Sequence, residues 1–345
     1  MTREAMECGN VVRVGVAGVG IMGERHARVL SELPGVVLSG IYDTDRRRAE
    51  AVAAAYGGTP YSDLEPFLAS ASAISIAAPT FAHADLALAA LDRGLHILVE
   101  KPICGSVADA RRVVSRSAET PDQIVMVGHI ERFNPAVAEL RRHLRGRKAL
   151  SATLRRMSQW TERCLDTDVV HDLMIHDIDL LVDLFGDRVQ LVDAVGSTLR
   201  GSTTDHAIAQ FNVDGGPTVT LIASRVAERK ARSIEVRTPD AWICADLIGH
   251  SLSKSYLSVL DANGIAWPLE HETYGGSEFF PVPRAEPLRL ELEHFINCVR
   301  GVERPLVDAL GGFRALAYAA SISDIIERKN NSPNRSGAAV STAAF

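Results

Sequence analysis

The sequence predicts an α/β protein, with a doubly wound parallel sheet first and an α+β domain on a large open, mostly antiparallel sheet after it. Three observations carry this. From Val11 to Val127, continuous apolar runs alternate with helical patterns, as strands covered on both faces require. A glycine-rich turn, "GVGIMG", closes the first of these runs. Beyond Gly128 the chain changes to helices and then to short β segments separated by turns such as Asp214-Gly215-Gly216, the rhythm of antiparallel pairing.

The elements follow in order. "VVRVGVA" is a strand leading to a helix over Glu24–Leu33, and "VVLSGIY" leads to one over Asp45–Tyr56. "AISIAA" precedes a helix over Ala82–Asp92. "LHILVE" precedes one opening at Ser106, where Ser106-Val107-Ala108-Asp109 resembles a capping box. "QIVMVG" is the last strand of this half. Asn134-Pro135 then caps and starts a helix ending near Gly146. Another runs from about Val169 to Phe185 and stops at Gly186. "HAIAQFNV", "TVTLIASRV", "SIEVRT" and "AWICADL" are successive strands, and helices return at Arg289–Arg300 and Gly312–Arg328.

A chain of 345 residues is too long for one core. The expected division is 11–128, a nucleotide-binding domain, and 129–328, a substrate and oligomerisation domain, with flexible tails at 1–10 and 329–345. A net charge of −6 argues against a nucleic-acid surface. Cys8, Cys104, Cys164, Cys244 and Cys298 are scattered without a CxxC pair, as in a reducing compartment. No apolar run approaches the ~18 residues of a membrane helix. "MTREAMECGN" lacks the apolar core of a signal peptide. A cytoplasmic protein is expected.

Gly18-x-Gly20-x-x-Gly23 stands between a strand and a helix, the context in which such glycines bind a dinucleotide. Gly18 permits the tight turn, Gly20 close approach of a pyrophosphate, and Gly23 close helix packing; the amides of Ile21 and Met22 face the phosphates. Asp43, 20 residues beyond Gly23, is the acid expected on the adenosine ribose, and it favours NAD over NADP. Its competing role is a simple helix cap. Pro79 and Thr80 leave the next strand on the same sheet edge, with His83 beside them. For His83 a helix-start or surface role is an equal reading.

Glu100-Lys101-Pro102 ends a strand on that edge. A partly desolvated lysine there can bind a substrate hydroxyl and relay its proton; a plain charged turn is the alternative. In "VVHDLMIHDIDLLVDLFG", Asp172, His176 and Asp179 are spaced to share one helix face. Acids one turn away suit a histidine to act as general base, although a hydrogen-bonded core histidine fits the same pattern. Asp177, about 100° away, reads as solvated. His171 and His176 lack the HExxH spacing of a metal pair, so no metal is expected.

Together, "GVGIMG", Glu100-Lys101-Pro102 and Asp172-x-x-x-His176-x-x-Asp179 resemble the Gfo/Idh/MocA family of sugar and cyclitol oxidoreductases over about residues 11–328. The resemblance implies a Rossmann-type NAD domain with Glu100 beside the cofactor. It assigns Lys101 and His176 to proton transfer, with Asp172 in support, and implies pairing through the open sheet into a homodimer or homotetramer. "VGHIERFNPAV", "IHDIDL" and "SRVAERKARSIEV" are most similar to the branch containing UDP-N-acetylglucosamine 3-dehydrogenases, whose 3-keto products pass to a PLP-dependent aminotransferase. It depart from the family in Met174, which stands where glycine is usual. On that reading Arg132, Asn134, Asp179 and Arg225 face a UDP-sugar. An inositol or free-sugar dehydrogenase is the alternative enzyme, and a non-catalytic NAD-binding sensor the alternative outside catalysis.

Overall fold

The computed structural model describes residues 11–161, 167–256, 258–260, 266–268 and 278–332. Cys8, Cys164 and the expected tail segments 1–10 and 333–345 lie outside them. Residues 329–331 of the expected C-terminal tail are helical. The chain divides into two compact units: residues to 147 with 245–254 and 277–317, and 148–244 with 255–276 and 318 onward.

The first unit holds β1 (Val12–Ala17), α1 (Ile21–Glu32), β2 (Val36–Tyr42), α2 (Arg46–Tyr56), β3 (Thr59–Tyr61), α3 (Leu64–Ala69), β4 (Ala73–Ile76), α4 (His83–Asp92), β5 (His96–Glu100), α5 (Val107–Glu119), β6 (Val125–Gly128) and α6 (Pro135–Leu144). The sheet is six-stranded in the order β3-β2-β1-β4-β5-β6, and its neighbours pair in parallel. Crossing direction reverses between β1 and β4, which opens a crevice at their carboxyl ends.

Successive residues of a strand point to opposite faces, so a doubly covered strand is apolar throughout. In β5, Ile97 and Val99 enter the core under α4 and α5, while Leu98 enters the opposite core with residues of α1 and α2. That second core also takes Leu288, Leu292, Phe295 and Ile296 from α8 (Pro287–Val299). The first unit therefore extends well past residue 128, contrary to the expected division. The apolar stripe of α8 has its burial on this sheet, and sequence adjacency does not encode that.

An eight-stranded sheet runs in the order β16-β13-β12-β11-β7-β10-β9-β8. Its strands are β7 (Ser151–Met157), β8 (Val189–Ser197), β9 (His206–Val213), β10 (Thr218–Ser224), β11 (Ala231–Arg237), β12 (Ala241–Asp246), β13 (Ser251–Tyr256) and β16 (Glu278–Phe280); β14 (Ser258–Leu260) and β15 (Ala266–Pro268) pair separately. The large sheet is mostly antiparallel, with β7 and β10 parallel. In β9, buried Ala207, Ala209, Phe211 and Val213 alternate with half-buried or exposed Ile208, Gln210 and Asn212. One face is packed and the other open. Helix α7 (Ile175–Phe185) lies against β7 and β10 on the packed side. The last helix, α9, spans Ala309–Asn331.

Candidate active site

In the first unit the candidate residues gather at the carboxyl edge of the parallel sheet. Gly18 has φ +82°, which L side chains avoid, and an added Cβ would lie 2.4 Å from the Ala78 Cα. A Cβ on Gly23 would meet the Gly18 carbonyl oxygen at 1.8 Å. A Cβ on Gly20, the N-cap of α1, would meet nothing within 4 Å. The turn is thus tight where the helix packs and open where a pyrophosphate would approach. Ile21 is exposed and Met22 half-buried in the first turn. A cavity of about 520 Å³ beside the turn is lined by Val19, Gly20, Ile21, Glu24, Arg48 and Val52. These residues fit a dinucleotide.

Asp43 is buried at the end of β2. Its Oδ2 accepts from the Val19 amide at 2.9 Å and its Oδ1 from the Asp45 amide at 2.8 Å, while Arg48 Nη1 lies 3.7 Å from Oδ2. The helix cap is instead Asp45, which accepts from the Arg47 and Arg48 amides. Asp43 therefore braces the glycine turn. Beyond β4, Pro79 is exposed and Thr80 half-buried.

His83 is the first residue of α4, as in its helix-start reading. It is buried, with Nε2 2.8 Å from the Ala78 carbonyl oxygen and Nδ1 2.9 Å from that of Pro102. Two backbone acceptors occupy its ring, so it ties the turn after β4 to the turn after β5. The Lys101–Pro102 peptide is cis, and Lys101 is half-buried. Glu100 is half-buried at the end of β5. Its Oε1 lies 3.1 Å from His26 Nε2, and its Oε2 accepts from the Lys101 amide at 3.1 Å. Burial opposes ionisation of Glu100. The hydrogen bond and charge of His26 outweigh it, with the charge and amide of Lys101, and hold the carboxyl below its ordinary range. His26 and Ser75, which completes the contact at His26 Nδ1, carried no signal in the sequence beyond a polar residue on an apolar helix face.

Asn134 caps α6 as expected, its Oδ1 accepting from the Ala136 amide at 3.0 Å. Its Nδ2 donates to Glu131 Oε2 and to the Leu247 carbonyl, each at 3.0 Å, and the side chain is buried. It is a structural cap and does not present a substrate contact. Arg132 is half-buried and donates to the Leu306 carbonyl at 3.3 Å, beside a groove lined by Phe133, Glu139, Arg142 and His294.

In the second unit the expected helix over 169–185 is divided. Val170–Met174 forms a π turn, and α7 follows from Ile175. Wide turns of this kind are frequent at functional sites. Asp168 anchors the turn, accepting from the His171 amide at 2.8 Å and from Ser323 Oγ at 2.8 Å, with His171 Nδ1 2.9 Å away. Burial opposes its ionisation, but these contacts with His171 and Ser323 hold its carboxyl below the ordinary range. Asp172 sits in the π turn and His176 in the first turn of α7, both half-buried, while Asp179 and Met174 are buried.

Asp177 is not solvated. It is 2% exposed, and Arg156 Nη2 of β7 reaches its Oδ1 at 2.7 Å. The helical wheel placed it away from His176 correctly, but that direction meets the sheet. Arg225 is similarly spent. It is buried, with Nε donating to Asp205 Oδ1 at 2.9 Å, Nη1 to the Thr167 carbonyl at 2.6 Å and Nη2 to Thr203 Oγ1 at 2.5 Å. Asp205 Oδ2 also accepts from the amides of Leu199, Arg200 and Gly201. Arg225 organises this loop, where it was expected to face a UDP-sugar.

Residues 12–129 match the oxidoreductase family with an NAD-binding Rossmann fold, and residues 136–243 match the GFO/IDH/MocA C-terminal domain. The chain is 30% identical over 317 residues to UDP-N-acetylglucosamine 3-dehydrogenase of Acidithiobacillus ferrooxidans, covering 92% of this chain and 97% of that protein. The solved structure of that enzyme aligns with a TM-score of 0.81 and 29% identity over 92% of this chain and 98% of its own. The NAD(+)-dependent scyllo-inositol 2-dehydrogenase of Bacillus subtilis is 26% identical over 86% of this chain and 88% of its own. The WlbA dehydrogenase of Bordetella pertussis, solved with NADH and UDP-GlcNAcA, shares the fold, with a TM-score of 0.77 and 21% identity over 93% of this chain and 97% of its own.

Proposed function

The chain belongs to the Gfo/Idh/MocA family of NAD-dependent sugar oxidoreductases, and from that premise we propose that it oxidises C3 of a UDP-hexose to the 3-keto sugar. UDP-N-acetylglucosamine is the first candidate and UDP-glucose the second. The observation that carries this reading is 30% identity, sustained over 92% of the chain, with a UDP-N-acetylglucosamine 3-dehydrogenase. NAD, when bound, supplies the hydride acceptor. The chain's own residues do the rest. Gly20 and the amides of Ile21 and Met22 receive the pyrophosphate, and Asp43 accepts from the adenosine ribose hydroxyls. His176 or Lys101 takes the substrate hydroxyl proton, and Asp172 supports the imidazolium that forms when His176 takes it. Arg132 meets the diphosphate of the UDP-sugar.

A 3-keto sugar is unstable, so its consumer is a PLP-dependent aminotransferase. The chain works as a homodimer or homotetramer paired through the open sheet face, in the cytoplasm. No helix among the described residues is long and apolar enough to cross a membrane. Oxidation of an inositol is the second reading, favoured by 26% identity to the scyllo-inositol enzyme over 86% of the chain. A thermal-shift screen with NAD and a panel of ligands separates the two. UDP-N-acetylglucosamine should raise Tm and myo-inositol should leave it unchanged. Stabilisation by inositol alone would reverse the assignment.

A further inference from the structure

The loop between β8 and β9 presents a cation that no carboxylate among the described residues neutralises. In the second unit Arg155 pairs with Glu235, Arg156 with Asp177, Arg188 with Asp214 and Arg225 with Asp205. Arg200 is exposed and has no such pair; its guanidinium carbon lies 5.6 Å from the centre of the half-buried Trp160 ring. The loop is built to hold it there. Asp205 Oδ2 accepts from three successive amides, those of Leu199, Arg200 and Gly201, at 2.9, 2.7 and 2.9 Å. A Cβ on Gly201 would lie 3.0 Å from Trp160 Cη2, so the backbone runs against the indole. Arg225, 5.9 Å from the same ring, pairs with Asp205 and donates to the Thr167 carbonyl. Asp205 and Arg225 cancel each other, and Arg200 leaves the loop with a positive charge.

We propose that Arg200, braced on Trp160, receives the diphosphate of the nucleotide-sugar substrate. This deepens the proposed function and rests on its UDP-hexose reading. An ion pair would occupy the N–H donors of a guanidinium, whereas a ring holds it through its charge and leaves the donors free. Those donors form a planar fork that matches two phosphate oxygens. The loop is also fastened beside the reacting groups. Arg225 holds Thr167, and the Val169 amide donates to the Thr204 carbonyl at 2.9 Å. The Asp172 amide in turn donates to the Asp168 carbonyl at 3.1 Å. The residues tied to the Arg200 loop are therefore the ones that lead into the π turn and α7, which carry Asp172 and His176. A diphosphate bears more than one negative charge, so a second cation besides Arg132 has a place on it. Inositol offers no anion, and Arg200 would do nothing for it.

The Arg200 side chain is exposed, so replacing it leaves the core alone. The test is calorimetric titration of the NADH-loaded enzyme, in which no oxidation can run. The ligands are UDP-N-acetylglucosamine and UDP, which carries the diphosphate without the hexose. Arg200→Ala should raise both Kd values by about tenfold or more, and by similar factors, because the lost contact lies in the part they share. Arg200→Lys keeps the charge without the fork and should fall between the two proteins. Trp160→Leu removes the brace alone and should raise the Kd for UDP by a smaller factor. Unchanged Kd values for both nucleotides in Arg200→Ala overturn the assignment of Arg200 and leave the UDP-hexose reading standing. Equal weakening of NADH binding in that variant would make the effect structural and overturn the assignment too. Failure of both nucleotides to bind the unaltered enzyme takes down the UDP-hexose reading itself, and Arg200 with it.

Discussion

Asp43 is a side chain that braces the fold and that the proposed function also places on the cofactor. Its oxygens already brace Val19 and Asp45, yet a carboxylate has lone pairs to spare for ribose hydroxyls. A 2′-phosphate would meet that charge at close range. The preference for NAD over NADP in kcat/KM should be roughly a hundredfold. Asp43→Ala should relax that preference and also weaken NAD binding, because the glycine turn loses its brace. Equal kcat/KM for both cofactors in the unaltered enzyme would contradict this. Lys101→Met and His176→Asn should each lower kcat by about 10²-fold, with NAD affinity near that of the unaltered protein by calorimetry. A His176→Asn enzyme with full kcat would make His176 a core residue. At this scale the sequence was a partial guide. The glycine turn of Gly18, Gly20 and Gly23 was legible because its geometry is written in local spacing. The contacts of His26 and Ser75 were not, because their partners are set by strands that meet only in the folded sheet; the cap at Asn134 was legible, but the distant loop residues that hold Arg225 were not.

At the scale of elements, the π turn and α7 are held by pairs whose energetics can be separated. Arg156 and Asp177 are both almost wholly buried, so neither can be left alone. Arg156→Met should destabilise the protein by about 3–5 kcal/mol, since it strands a buried carboxylate. The double change Arg156→Met with Asp177→Leu should recover much of that loss. Chemical denaturation of the three proteins checks it, and an additive double mutant would contradict it. The loop before β9 reports through pH. Burial disfavours the charged form of Asp205, but the amides of Arg200 and Gly201, with Arg225 and the Leu199 amide, pull its pKa down to about 2. A depressed folded-state value stabilises the fold above the unfolded pKa of about 4, and that contribution is lost as pH falls through about 2. Asp205→Asn should flatten the stability curve over that acid interval. A mutant whose acid limb matches the unaltered protein would remove Asp205 as its cause.

For the whole molecule, the doubly wound sheet was the most legible part, because continuous apolar strands and alternating helices admit few other arrangements. The assignment of α8 to that sheet was not legible, since an apolar stripe names no partner. The open face of the large sheet leaves Trp242 44% exposed on β12, in line with pairing between copies. Light scattering should give a dimer or tetramer, and Trp242→Glu should shift it toward monomer. A monomeric unaltered protein would remove the pairing. The central claim is oxidation at C3 of a UDP-hexose, and oxidation of an alcohol by NAD is uphill near neutral pH, so the product must be trapped. The most direct measurement incubates the enzyme with NAD, UDP-N-acetylglucosamine, glutamate and a PLP-dependent 3-aminotransferase, and follows the sugar nucleotide by mass spectrometry. A UDP-linked 3-amino sugar is expected, and it should be absent when Lys101 is changed to Met. No such product from any UDP-hexose, with brisk NADH formation from myo-inositol, would contradict it.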